Sequence, residues 1–217
     1  MRKAVLVLVA VATSIVVNAE MRKIDFEQDT VGQSPKGFAF GHTRKLGNPG
    51  RWLVQQDGGG KYLAQVDADG TRNRFPVAVV SDISAADVDV SVRFRPVSGR
   101  VDQAAGLVWR YQSEDNYYIV RANALEDNVV LYKVQNGQRT DLAVKGEGRT
   151  YGKPAEVPTG QWSTLRVIAT GPRFEVHFNG RKLYEVEDTT FPGAGRVGVW
   201  TKADSVTHFD GLTVTTK

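Results

Sequence analysis

Between Val88 and Arg95 the chain alternates strictly: Val88, Val90, Val92 and Phe94 are apolar, and Asp89, Ser91, Arg93 and Arg95 are polar. Successive side chains on a strand point to opposite faces, so a period of two specifies a strand with one buried and one solvated face. A helix would repeat its apolar positions every three or four residues instead. The rhythm returns at Leu165, Val167 and Ala169, and again at Phe174, Val176 and Phe178. Asn179-Gly180 then supplies two residues that accept positive φ, so the chain is expected to turn back through Lys182 to Val186 as a tight hairpin. Further strands are expected near 24–28, 52–55, 62–66, 77–81, 105–111, 117–122, 129–135, 197–201 and 207–215, and no stretch carries a helical stripe.

Glycine and asparagine punctuate these runs at Gly58-Gly59-Gly60, Asn136-Gly137, Gly146 to Gly148, Gly171-Pro172 and Gly193 to Gly195. Many short strands with such turns predict an all-β, two-sheet antiparallel sandwich or jelly roll. The glycine- and proline-bearing segment 145–158 reads as a long loop, so residues 20–217 are expected to form one domain. Ahead of it, Arg2 and Lys3 precede an apolar run from Ala4 to Val17 and small residues at Val17 and Ala19, the pattern of a signal peptide cleaved after Ala19. That run is shorter than the roughly 20 residues of a membrane-spanning helix. Export to a bacterial periplasm or the cell exterior is expected, with no membrane span after cleavage. The 217-residue chain has no cysteine, hence no disulfide and no lipid-bearing thiol, and its stability must come from the β core. Its charges are interspersed and its net charge of +4 falls by two without Arg2 and Lys3, so nucleic acid is not implied.

The run 106–123, GLVWRYQSEDNYYIVRAN, resembles the paired central strands of laminin-G-like domains in the concanavalin A-like lectin/glucanase superfamily. Trp162-Ser-Thr-Leu-Arg-Val, the hairpin from Phe174 to Leu183, Gly195-Arg-Val-Gly-Val-Trp-Thr-Lys202 and Phe209-Asp-Gly-Leu-Thr-Val214 follow in that superfamily's order. The resemblance implies a concanavalin A-like fold. Its exported bacterial relatives include a family labelled 3-keto-disaccharide hydrolase and glycoside hydrolases of the laminarinase type. The laminarinase strand, with carboxylates on alternate positions, is absent; Glu185-Val-Glu-Asp188 lacks the third carboxylate.

Several residues are candidates for a site. If Val197 and Val199 point inward, Trp200 lies on the other side of its strand, as a flat platform for a sugar or as a cover packed under a loop. If Leu107, Trp109 and Tyr111 face the core, Arg110 faces out; if Tyr118, Val120 and Ala122 do, Arg121 and Asn123 face out. Guanidinium groups suit carboxylates and vicinal hydroxyls. Arg110, Arg121, Asn123, Trp200 and Lys202 are therefore the expected ligand-binding set. His208, near Lys202 and Asp204 in sequence, is a candidate general base, with Tyr118 and Arg121 as partners in a lyase. No two of His42, His177 and His208 have zinc spacing. Glu27 and Asp210, on first and last strands expected to be neighbours, are candidate ligands of a structural calcium ion.

Three functions fit. A lectin-like domain would hold an oligo- or polysaccharide on its concave sheet and needs no cofactor. A sugar-active hydrolase or lyase would cut one. A structural envelope domain would present the same face to a protein partner.

Overall fold

The computed structural model describes residues 20–217; the expected signal peptide, 1–19, lies outside the described residues. Among the described residues there are sixteen strands and one short 3-10 turn, Thr43–Lys45. The strands are β1 (Glu20–Ile24), β2 (Phe38–His42), β3 (Trp52–Asp57), β4 (Gly60–Gln65), β5 (Pro76–Val80), β6 (Val88–Ser98), β7 (Ala104–Ser113) and β8 (Asn116–Asn123). They continue as β9 (Asn128–Gln135), β10 (Gln138–Asp141), β11 (Lys153–Pro154), β12 (Ser163–Thr170), β13 (Arg173–Phe178), β14 (Arg181–Glu187), β15 (Arg196–Trp200) and β16 (Val206–Thr216). No helix among the described residues is long and apolar enough to cross a membrane.

Two antiparallel sheets face each other. Sheet I runs β14-β13-β12-β6-β16-β4-β3, with β1 on β16; sheet II runs β10-β9-β8-β7-β15-β5-β2, with β11 on β9. The alternating residues meet between them: Val88, Val90, Val92, Phe94, Leu165, Val167, Phe174 and Val176 of sheet I pack against Leu107, Trp109, Val120, Leu131 and Val199 of sheet II. The Asn179-Gly180 hairpin forms as expected, with φ of 47° and 79° and Phe178 opposite Arg181. First and last strands do pair, Ile24 lying opposite Leu212, but the first strand runs Glu20–Ile24 rather than 24–28, which leaves Glu27 in the turn beyond it.

The outer faces differ. That of sheet I is laced with ion pairs such as Arg166–Asp89, Arg173–Glu185 and Lys182–Glu175. That of sheet II carries a second apolar layer, Val77, Val79, Val108, Tyr117, Ile119, Tyr132 and Trp200, under Phe75. Strand β8 is therefore buried on both faces, where a single wet face was expected.

Candidate functional site

The loops over sheet II are tied to it by hydrogen bonds. Trp200 Nε1 donates to the Tyr117 hydroxyl at 3.2 Å, which lies 2.7 Å from Thr43 Oγ1, and Thr43 donates to the Glu114 carbonyl at 2.8 Å. Each buried polar group is satisfied by the next. Farther along, the fully buried Arg74 donates to the carbonyls of Asn48 and Ala203 and to Asp67, so one guanidinium binds three loops together. Asp204 accepts the amides of Arg100, Val101 and Asp102 at 2.6, 3.0 and 2.9 Å. Burial would raise its pKa, but those three amides outweigh it and hold the carboxyl below the usual range.

This scaffolding presents a polar network at one end of sheet II. Lys202 pairs with Asp102; Asn123 Nδ2 donates to Asp102 at 2.6 Å and to Glu126 at 2.9 Å. Arg121 completes it with a two-pronged bond to Glu126, at 3.0 and 2.9 Å, and a bond to Asn128. Burial raises the pKa of Asp102, opposed by the Lys202 hydrogen bond. The network borders an open depression of about 580 Å³ lined by Arg72, Asn73, Arg100, Val101, Asp102 and Lys202. Beyond Arg121 the ring of Tyr151, 43% exposed, stands edge-on to Tyr132 at 6.0 Å, with the Arg121 guanidinium 5.7 Å from both rings.

Three of the expected binding residues, Arg121, Asn123 and Lys202, share this network, but Arg121 and Asn123 are buried and bonded to Glu126, Asn128 and Asp102 rather than facing out as expected. The other two lie outside it. Trp200 is fully buried against Phe75 at 5.2 Å, so it covers the sheet beneath a loop and offers no platform. Arg110 is buried on the other side, donating to the carbonyls of Ala86, Phe191 and Gly171 and lying 5.4 Å from the Phe174 ring. The cause is a bulge in which Arg110 takes φ 46° and the register to β8 and β15 shifts, so the alternation reverses parity there. Gly195 is required opposite it, since a Cβ would lie 2.4 Å from the Arg110 carbonyl carbon.

The expected acid–base set does not assemble. Tyr118 points inward, its hydroxyl donating to Asp188 at 2.6 Å, on the opposite face of β8 from Arg121. Burial, then Asp188, raises its pKa. His208 sits on the outer face of sheet I, stacked on Tyr62 at 4.4 Å with Arg95 3.0 Å from Nδ1. Burial, then Arg95, lowers its pKa to about 4, a value set by a site across the sandwich from Lys202. Glu27 accepts the Lys61 amide at 2.9 Å, and Asp210 pairs with Arg93 at 3.2 Å. Among the described residues no group of three or more His, Asp or Glu side chains is placed to hold a metal ion.

Sequence reasoning missed Asp102, Glu126, Arg72, Arg100 and Tyr151. All lie in loops, where no periodicity marks a side chain's direction. The one available signal was the pairing of polar Asn123 with Asn128 across the β8–β9 turn, which brings Glu126 back over Arg121.

The two-sheet architecture, with its covered outer face and polar end, defines a concanavalin A-like jelly roll. Within that class the chain belongs to the 3-keto-alpha-glucoside-1,2-lyase-like domain family, whose model matches residues 42–214. No curated protein matches the chain significantly. Among solved structures, carbohydrate binding module CBM66 from Bacillus subtilis is similar at 20% identity and TM-score 0.61, covering 81% of this chain and 93% of its own. Domain 4 of AbnA, a GH43 extracellular arabinanase from Geobacillus stearothermophilus solved with arabinotriose, is similar at 15% identity and TM-score 0.58, over 91% and 93%. A galectin-like protein of unknown function from Bacillus subtilis reaches 14% and 0.56, over 84% and 91%. At these identities the likeness is one of fold.

Proposed function

We propose that this domain is exported and binds carbohydrate on the outer face of sheet II. The observation that carries the reading is the open depression beside Asp102 and Lys202, with donors from Arg72, Arg100 and Lys202 and an acceptor from the exposed Asn73 amide. A sugar hydroxyl both donates and accepts, so a mixed set of this kind is what a saccharide needs. The exposed Tyr151 ring supplies the apolar stacking surface first expected of Trp200. Support also comes from what the similar structures are named for: a carbohydrate binding module and a domain solved with arabinotriose. On an array of glucans, fructans, arabinans and uronans the wild-type protein is expected to retain at least one glycan, and Tyr151→Ala and Lys202→Ala to lose it. Absence of binding to every glycan would refute the reading.

The family's description favours a second reading, a 1,2-elimination on a 3-keto-α-glucoside. The ketone acidifies the proton on C2; a base removes it, the C1–O bond breaks, and the departing oxygen takes a proton. Asp102, 2% exposed and with its pKa raised by burial, would be the base only on release from Asn123 and Lys202, and the freed Lys202 ammonium the acid. The product is a conjugated enone, so incubation with a 3-keto-α-glucoside is expected to raise ultraviolet absorbance. Asp102→Asn is expected to abolish that rise, and an unchanged rate in this variant would remove the assignment.

A further inference from the structure

Two depressions meet at Asn73 on the outer face of sheet II. Besides the one at Lys202, a second of about 240 Å³ is lined by Arg44, Phe75, Gly137, Gln138 and Arg139, and Asn73 lines both. The cations outnumber the acids along this double groove. Arg44, Arg72, Arg100, Arg139 and Lys202 line it, against Asp102 alone, and Asp102 is neutralised by Lys202. Neighbouring carboxylates are engaged elsewhere: Glu126 by Arg121, Asp141 by Arg149, Asp67 by Arg74. Asp115 accepts the Arg44 backbone amide at 2.8 Å. The chain as a whole is nearly balanced, its 28 basic and 24 acidic residues leaving +2 once Arg2 and Lys3 are set aside. The groove is therefore a local concentration of positive charge rather than a sample of the surface.

Arg139 is the most specific part of it. Its guanidinium carbon lies 4.4 Å from the Tyr132 ring centroid, 4.8 Å from Phe75 and 5.9 Å from Trp200. Aromatic rings fix a planar cation and leave its edge N–H groups for a ligand. Its Nη1 is buried with no hydrogen-bond partner among the described residues. A pre-oriented guanidinium with one unsatisfied N–H group at the groove floor suits an acceptor-only oxygen that reaches down to it.

We infer that the groove takes an acidic saccharide, its anionic group held by Arg139 and Arg44 and its neighbouring residues by Arg72, Arg100 and Lys202. The inference rests on the carbohydrate reading above and narrows its ligand to sugars bearing a carboxylate or a sulfate ester.

Calorimetric titration at low salt tests it with matched probes: oligogalacturonate against its methyl-esterified counterpart, and dextran sulfate against dextran. At least one acidic probe is expected to bind about tenfold tighter than its uncharged partner, a margin typical of one charge-assisted contact. Which pair shows the margin tells carboxylate from sulfate. Arg139→Gln is expected to remove most of it. Because Arg139 also packs on aromatic rings, the exposed double variant Arg72→Gln/Arg100→Gln provides a second reading, with the same expected loss. Arg181→Gln, on sheet I, controls for net charge and is expected to leave the margin intact. Equal affinity within both pairs, a margin that survives both groove variants, or one that Arg181→Gln reduces equally would each overturn the inference. Neutral glycans binding through Tyr151 without any acidic preference would overturn this inference alone. No binding by any probe would overturn the carbohydrate reading with it.

Discussion

Individual side chains show where one-dimensional reasoning holds and where it breaks. Alternation placed Val88, Val90, Val92 and Phe94 correctly because each sits on an unbroken stretch of ladder. It misplaced Arg110 because one bulge with φ 46° changes parity, and nothing in the run from Trp109 to Tyr111 announces it. It put Trp200 on the correct face but could not choose between platform and cover, a choice made by loops from far along the chain that bring Phe75 and Thr43 over it. Trp200→Ala is expected to cost about 3–5 kcal/mol in chemical unfolding, through the cavity it leaves. Trp200→Phe, if folded, is expected to keep glycan affinity within about twofold, as a residue outside the ligand contact should; a selective loss of binding would restore the platform role. His208 gives a pH signature. Its folded pKa, lowered to about 4, lies below that of the unfolded chain, which binds the proton near 6.5. The unfolded state therefore takes up the proton first on acidification. The stability linked to neutral His208 is complete above about pH 6.5 and is lost as pH falls toward 4. Denaturation of His208→Gln across that window is expected to show a shallower loss than wild type.

Among elements, the strands with apolar alternation were legible, and the ones missed are edge pieces. Strand β10, Gln-Arg-Thr-Asp, has no apolar residue at all; its place follows from Asn136-Gly137, which turns β9 back on itself with φ of 50° and 76°. Strand β11 is two residues inside the loop expected at 145–158, and β2 is a five-residue edge with Phe40 exposed. Edge strands need only one partner and one buried face, so they leave weak patterns. The β7–β15 bulge is more demanding: Gly195→Ala is expected to destabilise by about 3 kcal/mol or more, because backbone rather than a movable side chain meets the new Cβ. A Tm equal to wild type would contradict that packing. In the loop Arg100–Asp102, removing the Asp204 carboxylate leaves three amides without their acceptor. Asp204→Ala is expected to cost about 2–3 kcal/mol and to weaken glycan binding more than Tyr62→Ala on sheet I, by the same titration.

For the whole molecule, the two sheets divide the work. Sheet I packs its inner face into the core and spends its outer face on mutual ion pairs. Sheet II is covered on both sides, and its outer cover opens at the Asp102–Lys202 end, where several distant loops converge. That convergence explains why the fold was readable from the chain and the site only half so. Arg121, Asn123 and Lys202 lie on or beside strands, whereas Asp102, Arg72 and Arg100 reach them through loops fixed by Arg74 and Asp204, and Glu126 and Tyr151 through loops that meet Arg121. The central claim is that this end of sheet II holds a sugar. The most direct measurement is a glycan array probed in parallel with wild type, the Tyr151→Ala/Lys202→Ala double variant and the His208→Ala variant of sheet I. Binding by wild type and His208→Ala, with loss in the double variant, is the expected result; no binding by wild type, or binding that survives in the double variant, would contradict it.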